Sequence, residues 1–152
     1  MKPAEVSIIQ AKVADLETVA PLFDRYRQFY GQPPDLDRSK AFLRDRLTQD
    51  ESIVFLAVSE TALGFTQLYP SFSSVSLQKV WILNDLFVLP EARKMGVAMA
   101  LLERAKAWGI ETQARRIFLS TAIDNTAAQS LYEKAGYLKD PAFWHYQLDL
   151  SQ

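Results

Sequence analysis

One stretch constrains this chain more than any other. Residues 80–88, Val-Trp-Ile-Leu-Asn-Asp-Leu-Phe-Val, are nearly all β-branched, aromatic or leucine. That composition belongs to a strand buried on both faces. Pro90 then ends the ladder, because it has no amide hydrogen to donate. From about Gly96 the apolar period changes, with Ala98, Leu101, Leu102, Ala105 and Trp108 on one helical stripe. Between strand and helix lie Arg93, Lys94, Met95 and Gly96. Free amides at a helix N-terminus, with two cations beside them, favour an anion. Gly96 has no side chain to hold a bulky anion off the backbone.

The rest of the chain fits around this unit. Val6 to Gln10 is a short strand candidate. Asp15 to Tyr30 reads as a helix with Leu16, Val19, Phe23, Tyr26 and Tyr30 on one stripe. Pro21 falls inside it, so either the regular helix begins at Thr18 or it is kinked. Gly31-Gln32-Pro33-Pro34 is a break, after which Asp35 or Asp37 caps a second helix through about Gln49. Residues 53–58 and 64–69 read as a hairpin, followed by a Ser-rich connection over 70–76. After the central helix, residues 116–120 form another apolar strand, parallel to the first through a right-handed crossover. Asn125 caps a further helix that stops at Gly136. Residues 143–150 alternate loosely and are read as a closing strand. The order is β-α-α-β-β-β-α-β-α-β: one α/β domain over 1–152, with a mixed sheet and helices on both faces.

Composition removes several kinds of function. There is no cysteine and only one histidine, His145. Thiolate nucleophiles, disulfides, zinc-thiolate sites and histidine metal clusters are therefore excluded, and no metal is expected. A formal net charge of −1 gives no field for nucleic acid. Met1 to Glu5 lacks a signal-peptide core, and no apolar run approaches a membrane span. The expectation is a cytoplasmic protein without membrane or nucleic-acid partners.

A second block follows at Asn125-x-x-Ala128-x-x-Leu131-Tyr132-x-x-x-Gly136-Tyr137. Together with Leu86-Phe87-Val88-x-Pro90 and Arg93-x-x-Gly96-x-Ala98, it resembles the N-acetyltransferase (GNAT) superfamily. The first block is similar to that family's acyl-CoA signature, with Ala98 where Gly or Ala stands. The second lies at the family's spacing, one strand later. The likeness covers about residues 50–140, and the first two helices only in their order.

The resemblance implies a fold and a chemistry. The strand ending at Val88 and the strand ending near Ser120 splay apart, and acetyl-CoA enters the gap. Its pantetheine pairs with the free strand edge at Leu86, Phe87 and Val88. Its pyrophosphate sits on Arg93, Lys94, Met95, Gly96, Val97 and Ala98, and Asn125, Ala128 and Tyr132 line its other side. The implied reaction moves acetyl to a primary amine by direct attack on the thioester. The acceptor is a small amine, an amino acid, a polyamine, or a protein lysine or N-terminus. An amide between Leu86 and Val88 would bind the oxyanion, and Tyr132 would protonate the leaving thiolate. Asp85 is the candidate base; its alternative is a polar residue at a bulge or on an outward face. Asn84 and Asp85 enter one site together only if the strand bulges. Phe29, Tyr30 and Asp35 are candidates for an amine pocket, whereas Tyr26 reads as core. Relatives suggest a possible homodimer. The reading from another class is a non-catalytic acyl-CoA-binding regulatory domain, which would have less reason to keep Tyr132.

Overall fold

A computed structural model describes residues 5–151. The residues on which the missing-leader reading chiefly rests, 1–4, lie outside them. The described chain falls into two compact units that divide between Ser120 and Thr121.

The first unit is built on a five-stranded sheet in sequence order, β1 (Ser7–Ala11), β2 (Ile53–Val58), β3 (Ala62–Ser73), β4 (Gln78–Val88) and β5 (Ile117–Phe118). The first four strands are antiparallel, and β5 is parallel to β4. Helices α1 (Leu16–Phe29) and α2 (Leu36–Thr48) cover one face. Their apolar residues Leu16, Val19, Ala20, Leu22, Phe23 and Leu43 form one buried cluster with Val54, Leu56, Phe65 and Phe87 of the sheet. Helix α3 (Val97–Glu111) covers the other face, where Trp108 meets Phe55 and Trp81 edge-on or tilted at 6.0 and 5.9 Å. Val54 and Leu56 face α1 while Phe55 faces α3, as strand alternation requires.

Two local expectations change. Pro21 lies inside α1, not in a first turn starting at Thr18. Its missing hydrogen bond would go to the Glu17 carbonyl, and both residues are exposed, so water can serve that oxygen. Strand β3 runs on through Ser73, absorbing Pro70 and half of the proposed Ser-rich connection. It outruns its neighbour: the last β2 partner is Leu68, and from Tyr69 to Ser73 it pairs with β4 alone.

Helices α1 and α2 are joined by one buried carboxylate. Asp24 accepts from Ser39 Oγ at 2.7 Å, from the Asp35 amide at 3.0 Å and from Gln28 Nε2 at 3.0 Å. Burial alone would raise its pKa; these donors and the Arg27 charge win, holding it below the ordinary 3.8. This stabilisation is complete above that ordinary value and is lost as pH falls through the lowered one. Asp24→Ala should cost on the order of 3 kcal/mol at neutral pH, since it strands the buried Ser39 hydroxyl and the half-buried Asp35 amide. The deficit should shrink in acid, below pH 3.8. Urea unfolding of parent and variant across pH checks both points; a deficit that is flat with pH would refute the charged-staple account.

The second unit contains α4 (Thr126–Lys134). The Asn125 side chain caps it, accepting from the Ala128 amide at 3.2 Å. At the other end the amides of Gly136 and Tyr137 return to the carbonyls of Glu133 and Tyr132 at 3.0 and 2.9 Å. That double closure needs the positive φ of 99° that glycine supplies at Gly136. The closing strand expected over 143–150 is not formed. Alternation alone does not make a strand. These residues have no ladder partner among those described, and Trp144 and Tyr146 are 87% and 88% exposed.

Candidate active site

The pairing of β4 changes along its length. β5 matches it only at Trp81↔Ile117 and Ile82↔Phe118. Beyond Ile82 the β5 side of the strand has no ladder partner among the described residues up to its end at Val88, so Leu86, Phe87 and Val88 lie along an unpaired edge. β5 ends at Phe118, short of the expected Ser120, so its pairing with β4 stops at Ile82. On the other side β4 stays paired with β3 up to Gly64↔Val88.

Strand β4 also changes face. Trp81 packs on α3. Strict alternation would put Phe87 on the same face, yet its ring meets Tyr26 of α1 at 6.5 Å. The shift occurs at Asn84. Leu68 opposes Leu83 and Gln67 opposes Asp85, so Asn84 is the extra residue of a β-bulge. The bulge brings Asn84 and Asp85 to one place, the condition set from sequence.

That place is a cavity of about 380 Å³ lined by Phe23, Tyr26, Arg27, Arg38, Ser39, Phe42, Tyr69, Asn84 and Asp85. It lies within the first unit, between the α1–α2 pair and the sheet. Asp85 is 2% exposed. One of its oxygens accepts from Gln67 Nε2 at 2.5 Å, the other from Asn84 Nδ2 at 2.7 Å. The Tyr26 hydroxyl donates to the Asn84 carbonyl at 3.3 Å or, with its proton turned, to the Asp85 carboxylate. Burial pushes the Asp85 carboxyl above its ordinary 3.8, against the pull of these three donors. Tyr26 and Tyr69 are pushed up too, first by burial and then by the Asp85 charge, so both stay protonated as donors. A buried carboxylate with enhanced proton affinity, facing a cavity, has the properties of a general base.

The loop after β4 carries the residues read from sequence as an anion seat. Residues Pro90–Ala92 form one 3₁₀ turn, and Gly96 stands at the α3 N-cap with φ 78°. No side chain caps the helix there, which leaves the first α3 amides, at Val97 and Ala98, for a ligand. A Cβ built on Gly96 would meet nothing within 4 Å, so the space in front of its backbone is clear. Arg93 turns back, Nε donating to the Val88 carbonyl at 3.2 Å, and Lys94 and Met95 are exposed. These residues fit a pyrophosphate. Asn125, Ala128 and Tyr132 lie on α4 or at its cap in the second unit, where the Tyr132 and Tyr137 rings are 6.0 Å apart.

The residues read from sequence as an amine pocket do not line this cavity. Phe29 and Tyr30 are 61% and 56% exposed and do not line the cavity. Asp35 instead caps α2, accepting from the Arg38 amide at 3.1 Å. Tyr26, read as core, does pack on Phe65 and Phe87, but its hydroxyl end reaches the cavity. Arg27, Arg38, Ser39 and Tyr69 were not singled out. A signal existed for Tyr69, which shares the strand parity of Phe65 and Gln67. None existed for the arginines, because charges on an amphipathic helix normally face water.

Residues 16–137 match the model of the Acetyltransferase (GNAT) family. The chain belongs to this family. It is 46% identical over 146 residues to an uncharacterised N-acetyltransferase, YhfO, of Bacillus subtilis, covering 95% of this chain and 98% of that one. The crystal structure of a probable acetyltransferase superposes with TM-score 0.92 at 46% identity, covering 96% of this GNAT chain and 99% of its own. A complex of the aminoglycoside N-acetyltransferase AAC(6')-Iy with CoA superposes with TM-score 0.78 at 25% identity, covering 97% of each chain. This GNAT protein is an N-acetyltransferase with the mixed α/β fold of its family. Among its described residues no helix is long and apolar enough to cross a membrane, and no cluster of His, Cys, Asp and Glu is placed to hold a metal.

Proposed function

We propose that this acetyltransferase uses acetyl-CoA as co-substrate and acetylates a primary amine held in the Asp85 cavity. The observation that carries the reading is the Asn84 bulge, which turns a buried carboxylate onto a cavity beside the open edge of β4. The relative solved with CoA supports the donor. The family match runs across the division at Ser120, which supports one catalytic domain rather than two.

The roles follow from chemistry. Asp85 takes a proton from the ammonium group, and the freed lone pair attacks the thioester carbonyl. A backbone amide of Leu86, Phe87 or Val88 on the open edge stabilises the oxyanion. As the C–S bond breaks, Tyr132 protonates the departing thiolate and recovers its proton from the amide nitrogen through solvent. The overall release is one proton, through Asp85 to water. The seat from Arg93 to Ala98 holds the pyrophosphate, with Asn125 and Ala128 flanking the cofactor. The net charge of −1 argues for a small-molecule or peptide acceptor over nucleic acid.

Thiol release from acetyl-CoA over a panel of amines tests the reaction itself. The seat is tested by Gly96→Val. At a hundred times its dissociation constant, acetyl-CoA should stabilise the parent by about 2.7 kcal/mol. The variant adds a side chain at positive φ, at a cost of about 1–2 kcal/mol, and fills the space before the first α3 amides. It should remain folded, bind acetyl-CoA at least about tenfold more weakly, and at the same ligand concentration keep no more than about 1.4 kcal/mol of that stabilisation. Unchanged affinity in the folded variant would rule this seat out.

A further inference from the structure

The charges around the cavity do not match a polycationic acceptor. Its lining carries two arginines, Arg27 and Arg38, against a single carboxylate, Asp85. The nearby acids are engaged elsewhere. Asp24 is held by Ser39, Gln28 and the Asp35 amide, and Asp35 caps α2. Neither lines the cavity.

The arginines keep donors to spare. Arg27 Nη1 is buried without a hydrogen-bond partner. The charge nearest in effect is Asp24, whose oxygens are already taken by those three donors. A buried guanidinium nitrogen without an acceptor is costly, and a ligand oxyanion would relieve it. Arg38 reaches Asp35 only at 4.0 Å, with 82% of its side chain exposed. A pair that loose contributes little and yields easily to a better partner. Phe23 and Phe42, which also line the cavity, stack with centroids 5.7 Å apart and supply an apolar wall.

We infer that the acceptor is a small zwitterion: a primary amine directed at Asp85 on a molecule whose oxyanion group, carboxylate or phosphate, is bound by Arg27 and Arg38. This rests on the reading of the Asp85 cavity as the acceptor site. It sets the chain apart from the aminoglycoside acetyltransferases it resembles in fold, since an aminoglycoside or polyamine would bring several positive charges to two arginines. The roughly 380 Å³ of space suits a molecule of amino-acid size.

The test is steady-state acetylation with acetyl-CoA over matched acceptors. These are free amino acids, the same amino acids as methyl esters and amides, O-phosphoethanolamine, spermidine and kanamycin. A free acid or the phosphate should exceed its uncharged counterpart on the order of 10- to 100-fold in kcat/KM, the worth of a charge-assisted hydrogen bond. The effect should fall mainly in KM. Arg38→Ala should bring the acid-to-amide ratio toward one, and Arg38→Lys should restore part of it. The phosphate arm separates the two oxyanion classes. Thermal protection by the preferred acid without acetyl-CoA gives a readout independent of turnover, and it should weaken in Arg38→Ala. Spermidine, kanamycin or the amides matching the best acid would overturn the inference, as would a ratio indifferent to Arg38. If polycations are acetylated independently of Arg38 but Asp85→Asn abolishes it, the inference fails and the cavity reading stands. If the acids bind through Arg38 but Asp85→Asn keeps full turnover, Asp85 is not the base and the zwitterion preference survives.

Discussion

Asp85→Asn should separate stability from activity in opposite directions. Turnover at neutral pH should fall about 10²–10⁴-fold, the usual worth of a positioned general base. Acetyl-CoA affinity should hold, because the proposed cofactor seat lies on the loop and α3. Stability should rise. The Asp85 carboxyl titrates above its ordinary 3.8 in the folded chain. The folded state therefore holds a proton that the unfolded state has released, and stability is lost as pH rises from 3.8 through the raised value. Removing the charge removes that loss. The new carboxamide can also be accommodated: Gln67 Oε1 is buried without a partner and, with the amide turned over, can accept from it. The melting temperature of Asp85→Asn should exceed the parent's at neutral pH, and the two should converge near pH 4. Full activity would show that Asp85 is a structural residue of the bulge. A variant less stable at every pH would show that its hydrogen bonds outweigh its burial.

Tyr132→Phe should lower turnover about 10²–10⁴-fold with little else altered. The ring contact with Tyr137 is kept, as are the Asn125 cap and the closure at Gly136. Acetyl-CoA affinity and melting temperature should therefore stay near parent values. The measurement is the steady-state rate on the best amine, beside calorimetric affinity for acetyl-CoA. If chemistry is rate-limiting and the variant keeps full activity, Tyr132 is a packing residue and water protonates the thiolate.

The framework was legible because two physical signals coincide in it. Over 80–108 the apolar period switches from strand to helix, and the cations and glycine sit at the switch. Asn125 and Gly136 mark a helix by capping chemistry that needs no tertiary partner. The bulge at Asn84 could only be posed as a condition. An inserted residue shifts the phase of everything after it, and an apolar run buried on both faces has no phase to read. The cavity was hidden for a related reason. Arg27 and Arg38 occupy helix positions where a charge usually faces water; the crossing of α1 and α2 over the bulge buries one nitrogen of Arg27 and leaves Arg38 exposed at the cavity rim. The closing strand failed because pairing belongs to the partner as much as to the segment.

The overhang of β3 past β2 has a consequence for how crowded molecules meet. From Tyr69 onward that edge lacks a covering strand, and Phe72, Val75 and Leu77 near it are exposed. An uncovered edge with apolar side chains invites another chain to add a strand. Pro70 stands on that overhang, opposite Trp81. The Trp81 amide donates away from β3, to the Arg116 carbonyl at 3.1 Å, so the Pro70–Trp81 pair exchanges no ladder bonds. The nitrogen of Pro70 is therefore turned outward, where it costs the hairpin nothing and offers an incoming strand no donor. The fold can extend a long ribbon beyond its sheet without making that ribbon a template for aggregation.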